Sequence, residues 1–142
     1  MSAVEPGELI RLKDTDETIA DTAADIRGRR VVDKDGQTLG KIDALLIDEK
    51  EQKVRFLEVE SGGFLGLGEK KSLIPVDAIT GIGADEVRVG HTSQKVAAAP
   101  AYDPEFVKKP SFYGDTYGFY GYMPYWGMGY AYPQFPPLHN DD

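Results

Sequence analysis

Between Arg29 and Gly90 the apolar residues come in short bursts: Val31-Val32, Leu39–Ile42, Leu45–Ile47, Phe56–Val59, Leu73–Val76 and Val87–Val89. Glycines, aspartates and charged clusters separate them. None of the bursts is long enough for an ordinary helix, and their spacing suits β-strands joined by turns. The stretch therefore predicts a mainly β fold, a small barrel of about five to six strands. Asp35-Gly36, between the first two bursts, supplies the backbone angles of a hairpin turn. Asp33-Lys34-Asp35-Gly36 also resembles half of a calcium loop. With Gly36 at the invariant glycine, however, the first and last ligand positions fall on Val31 and Ile42, which cannot coordinate calcium.

Further along, Ile42 and Leu45 are three apart, whereas one strand face repeats every two residues. A bulge near Asp43-Ala44 reconciles the phases and bends the sheet. Phe56, Leu57 and Val59 make the next strand apolar on both faces, so its outer face needs a cover, from a second copy or from the N-terminal arm. Pro75 puts its strand at an edge or a break. Val87 and Val89 alternate with charge, as in a half-exposed strand. Thr92 is placed to cap a short helix running to Val96.

The remaining chain divides into an N-terminal arm (1–28), a short helix and linker (92–110) and a tail (111–142) around the barrel segment (29–91). In the arm, Glu8–Leu12 suits a short strand and Thr22–Gly28 one helical turn, with Ile19 and Ile26 filling apolar gaps on the barrel. The formal charge of −8 is spread so that no segment has a basic excess: seven acidic against three basic residues in 1–28, twelve against ten in 29–90, five against three in 91–142. This distribution argues against binding to nucleic acid and leaves attraction to anionic lipid weak. There is no cysteine, which excludes disulfides and thiolate chemistry and fits a reducing compartment. With no apolar run long enough to span a bilayer and no signal-peptide pattern at the start, the expected location is the cytoplasm.

Catalytic signatures fail one by one. Gly63 and Gly68 have the spacing of a phosphate-binding loop, but Glu69 and Lys70 stand where Lys and Ser/Thr are needed. Gly66-Leu67-Gly68 opens a dinucleotide fingerprint that Lys71 breaks. The two histidines, His91 and His139, are too few for an evident zinc site. Glu58 and Glu60 share a strand face, as charged strand faces in water commonly do. The reading is a non-enzyme without cofactor or metal.

The segments GRRVVDKDGQTLGKIDALLID, VRFLEVESGG and KSLIPVDAI, followed by the valine strand, resemble in their order the PRC-barrel family. This is the small barrel shared by the cytoplasmic domain of the photosynthetic reaction-centre H subunit and the C-terminal domain of the ribosome-maturation factor. The residues carrying the resemblance are Gly28 to Val32, Asp35-Gly36, Leu39-Gly40-Lys41-Ile42, Asp48 and Leu73-Ile74-Pro75-Val76. It implies an adaptor, assembly or regulatory module rather than an enzyme, commonly self-associating. The chain lacks the transmembrane helix of the first relative and the N-terminal barrel of the second, so neither specific role carries over.

From Phe112 to Phe135, eleven of 24 residues are aromatic, with five glycines and two prolines. Neither helical nor alternating spacing holds throughout, and the composition is that of an adhesive low-complexity tail. Tyr117, Tyr120, Tyr122, Trp126 and Tyr130 are the candidate partner contacts, together with Phe64, Leu65 and Leu67 in the glycine-rich loop. The functional expectation is a homo-oligomeric binding or assembly module that engages a protein partner through these side chains. A peripheral membrane-surface protein using the tail, and a small-ligand sensor or ribosome/RNA-processing accessory factor, are the alternatives.

Overall fold

Gly36 adopts φ +87°, the left-handed backbone that a tight turn requires. The Asp33 carboxylate fixes the turn around it: Oδ1 accepts the backbone N–H groups of Asp35 and Gln37 at 2.9 and 2.8 Å. Its Oδ2 accepts the N–H of Ser93 at 3.1 Å, pinning the first helix to the hairpin. Burial alone would raise the Asp33 pKa, but these backbone donors outweigh it and hold the carboxyl below its usual range.

The computed structural model describes residues 9–11, 17–19, 26–48, 53–61, 70–99, 110–133 and 138–140. The strands are β1 (Ile10–Arg11), β2 (Glu17–Ile19), β3 (Arg30–Val32), β4 (Thr38–Asp48), β5 (Lys53–Ser61), β6 (Lys70–Pro75), β7 (Ile79–Ile82), β8 (Glu86–Val89) and β9 (Leu138–Asn140). The helices are α1 (Ser93–Ala97) and α2 (Pro110–Tyr120). Six strands form one mixed sheet in the order β6-β5-β4-β3-β8-β7, and β1 pairs with the C-terminal half of β4. Among the described residues only the β3–β8 pair is parallel. β2 and β9 pair separately, joining the arm to the chain's C-terminal stretch.

The sheet is barrel-like but does not close. Its edges are β6 and β7, and both carry features that blunt strand-to-strand association. β6 has Lys70, Lys71 and Pro75, while β7 is four residues long with a register shift at Thr80.

Two bulges on the β4–β5 ladder decide which side chains face where. Ile42 pairs with Val59 and Ala44 with Glu58, leaving Asp43 as the extra residue, where the broken apolar phase predicts it. Leu46 pairs with Phe56 and Ile47 with Val54, so Arg55 is extra on the other strand. The ladder then alternates cleanly. Ile42, Leu45, Ile47, Val54, Leu57 and Val59 face an inner core that also takes Ile26, Val31, Val87 and Val89. Leu46, Phe56 and Leu73 face outward into a second apolar cluster. Helix α1 closes one end of the inner core with Val96. The side chain of its N-cap, Thr92, accepts the Lys95 N–H at 3.2 Å.

Ile26 is fully buried in the inner core, as expected of the arm. Of the helical turn predicted over Thr22–Gly28, residues 22–25 lie outside the described residues, while Arg27 and Gly28 form a turn with Gly28 at φ +86°. The side chain of Ile19 and the loop residues Phe64, Leu65 and Leu67 also lie outside the described residues.

Candidate functional site: an aromatic cap on the outer face of the sheet

Part of the low-complexity aromatic tail is a helix, although helical spacing does not hold throughout it. In α2 the buried residues are Tyr113, Thr116, Tyr117 and Tyr120, spaced as one helical face. Gly114 and Gly118 weaken helix propensity, by about 1 kcal/mol each relative to alanine. Packing of the tyrosine face overrides that cost. The helix ends in a Schellman motif: Gly121 takes φ +85°, its N–H bonds the Gly118 carbonyl at 3.1 Å, and the Tyr122 N–H bonds the Tyr117 carbonyl at 2.9 Å. Gly114 has a second use, since a Cβ there would meet the Trp126 ring at 3.4 Å.

This segment covers the outward apolar face of the sheet. Phe56 touches Tyr113 and Tyr117 with ring centroids 5.6 and 5.1 Å apart. Leu9 of the arm joins the same cluster, and its N–H donates to the Tyr113 hydroxyl at 3.4 Å. The cover that the two-faced β5 requires is thus supplied chiefly by the chain's own aromatic segment, and to a smaller extent by the arm.

At the Lys53 end of β5 the bulge aims Arg55 into the cap. Its guanidinium lies 4.1 Å from the Tyr125 ring centroid, 5.4 Å from Tyr132 and 6.0 Å from Tyr130. Asp48 is its ion-pair partner at 3.6 Å. Arg55 Nε and Nη1 are buried without a hydrogen-bond partner among the described residues, so the tyrosine faces replace much of the lost hydration. Beside it, in the turn Val76–Ala78, Asp77 Oδ2 accepts the Tyr130 hydroxyl at 2.8 Å. Burial pushes the Asp77 carboxyl above its usual value, against the opposing pull of that hydrogen bond and of Arg55. Burial also pushes the Tyr132 phenol up to about 12; its hydroxyl donates to the Val54 carbonyl at 3.0 Å.

A third tie joins the cap to the end of β8. His91 Nε2 and the Tyr122 hydroxyl are 2.8 Å apart, and the His91 ring meets Tyr120 and Tyr122 edge-on.

A family model matches the part of the chain that forms the sheet. The PRC-barrel domain model matches residues 20–93, just over half of the 142-residue chain. The chain belongs to the PRC-barrel family. Among curated proteins none matches it. In this PRC-barrel protein the family domain ends at α1, and the aromatic cap is built onto it from the sequence that follows.

Of the candidate contacts, Tyr117 and Tyr120 are 0% and 3% exposed, so their rings are committed to the PRC-barrel chain's own core. That corrects their expected role as surface contacts: each sits on the helix face turned toward the sheet. Tyr122 and Tyr130 are half-buried, with their hydroxyls engaged by His91 and Asp77. Trp126 is half-buried against Tyr117 and Tyr125. Sequence reasoning missed Arg55 and Asp77 and weighed His91 only as a zinc ligand; their roles appear once a bulge, a turn and a strand end are brought beneath one cap. It also missed Met123 and Met128, which are 50% and 85% exposed.

Burial lowers the His91 pKa, and the charge of Lys95 lowers it further. A depressed histidine is neutral in the fold, so its contribution is complete above the ordinary histidine value. It is lost as pH falls below that value toward the folded one, because the unfolded chain takes up the proton first. Urea midpoints measured from pH 7.5 to 5 are expected to fall for the wild type. In His91→Phe, which keeps a ring against Tyr120, the slope should be shallower.

Proposed function

We propose that this PRC-barrel protein is a non-catalytic assembly module of the cytoplasm that engages a protein partner and further copies of itself. The observation that carries the reading is how β5 and β6 divide the surface. The cap occupies the outer face at the Val54 end of β5, where its turn reaches the backbone through Tyr132. The glycine-rich loop leaves from Ser61 and returns at Lys70, at the opposite end of the same hairpin. From Arg55 to Ser61 a strand extends about 20 Å, so Ser61 and Lys70, from which the loop springs, are at the far end of β5–β6 from the contact of Arg55 with the cap. Phe64, Leu65 and Leu67 are the side chains we assign to the protein contact, as three large apolar residues among glycines.

The non-catalytic reading is supported by the conspicuous polar groups, which have structural work: Asp33 holds the hairpin, Asp77 and His91 hold the cap, and Arg55 fills a tyrosine cage.

The test is pull-down with mass spectrometry, together with sedimentation velocity, on wild type and the double variant Phe64→Ser/Leu67→Ser. Loss of partner and of higher oligomers with an unchanged melting curve is expected. Full retention of both would reject the loop as the contact.

A further inference from the structure

The cap turn ends in a tip that the fold leaves bare. After α2 the chain runs Tyr122-Met123-Pro124-Tyr125-Trp126-Gly127-Met128-Gly129-Tyr130, with Met123 half exposed and Met128 85% exposed. Trp126, Tyr122 and Tyr130 flank these methionines, each half-buried with one side toward solvent. The tip is tightly built. The Gly127 N–H bonds the Pro124 carbonyl at 2.9 Å, and the Tyr130 N–H bonds the Gly127 carbonyl at 3.2 Å. A Cβ at Gly127 would meet Met123 Cγ at 2.9 Å, so the turn closes directly onto that methionine.

Charge narrows what such a tip can meet. From Thr116 to Leu138 there is no Asp, Glu, Lys or Arg, although 28% of the whole chain is charged. The net charge of −8 is carried outside this stretch. Nothing on the tip attracts an ionic partner, and the rest of the molecule repels an anionic one. Two methionines and the edges of three rings offer a few hundred Å² of apolar surface, well short of the roughly 800 Å² per partner of a stable protein interface. Exposed thioethers on either side of a half-buried tryptophan in the sequence suit the boundary between headgroups and acyl chains.

We propose that the Met123–Met128 tip inserts into the interface of a neutral, zwitterionic bilayer, docking the protein peripherally by its cap. No helix among the described residues is long and apolar enough to cross a membrane, so the contact is a shallow one. It uses none of the residues assigned above to protein contacts.

The full chain provides its own reporter, because Trp126 is its only tryptophan. The experiment titrates it with phosphatidylcholine vesicles and with equimolar phosphatidylcholine/phosphatidylglycerol vesicles at low salt, following Trp126 emission, quenching by brominated lipid and co-sedimentation. Binding to the neutral vesicles with a blue shift and quenching is expected, weaker on the anionic mixture. Met128→Asp should bind about tenfold less with an unchanged melting curve, since that side chain is mostly solvated before binding. No binding to neutral vesicles overturns the proposal, as does undiminished binding by Met128→Asp. A blue shift that depends on protein concentration without lipid also overturns it, by assigning the tip to a second copy of the chain.

Discussion

Tyr117→Ala is expected to destabilise the protein by about 3–5 kcal/mol, the range for removing a large buried ring. Tyr117 has no exposed surface and lies between Phe56 on the sheet and Tyr125 and Trp126 in the cap. Removing its ring opens a void where the two layers meet. Tyr117→Phe separates the ring from its hydroxyl. That hydroxyl is buried near Asp77 and Tyr130 but makes no hydrogen bond of good geometry, so losing it should shift stability by about 1 kcal/mol or less. Urea unfolding of both variants checks the pair. A free adhesive tail would make both substitutions silent. The same reasoning predicts that deleting the cap uncovers Leu46, Phe56 and Leu73, so a truncated chain that aggregates says nothing about partner binding.

Arg55→Ala is expected to cost about 3–5 kcal/mol, as when one member of a buried ion pair is removed. Asp48 and Asp77 both lose their nearby cation, and Tyr125, Tyr130 and Tyr132 lose the group they enclose. Arg55→Lys keeps the charge but loses the flat stack, and about 1–2 kcal/mol is expected. The pH dependence gives a further check. Asp77 is raised in the fold, so its protonation supports the native state at low pH, and that support is lost as pH rises through the folded value. Arg55 opposes the rise. In its absence Asp77 should climb further, and Arg55→Ala should recover part of its deficit on mild acidification. Asp33 does not confuse this window: its depressed carboxyl supports the fold until pH falls below the usual carboxylate range. Thermal melts at a series of pH values read both effects.

The barrel was legible in the sequence because its signals are local. Asp35-Gly36 states a turn, the broken spacing from Ile42 to Leu45 states a bulge, Pro75 an edge and Thr92 a cap; each is found in the structure. The apolar residues on both faces of β5 also stated that a cover was needed. The identity of the cover was not legible. Tyr113, Tyr117 and Tyr120 have helical spacing and Gly121 a helix-ending position, but glycines inside the segment and aromatic residues on all sides mask that pattern. Only the apposition of Phe56 and Leu73 makes one face of α2 the inner one. Arg55 was hidden for a related reason: plain alternation does not show that the bulge will leave it unmatched in the β4–β5 register and turned into the cap.

The account rests on the aromatic segment being a second layer of the folded domain. Amide hydrogen exchange of the full chain, resolved to short peptides, measures this directly. Protection at 113–120 comparable to that of β5, lost from both together in Tyr117→Ala, is the predicted result. Amides at 113–120 exchanging at the rate of an unstructured peptide, while β4 and β5 stay protected, would contradict it.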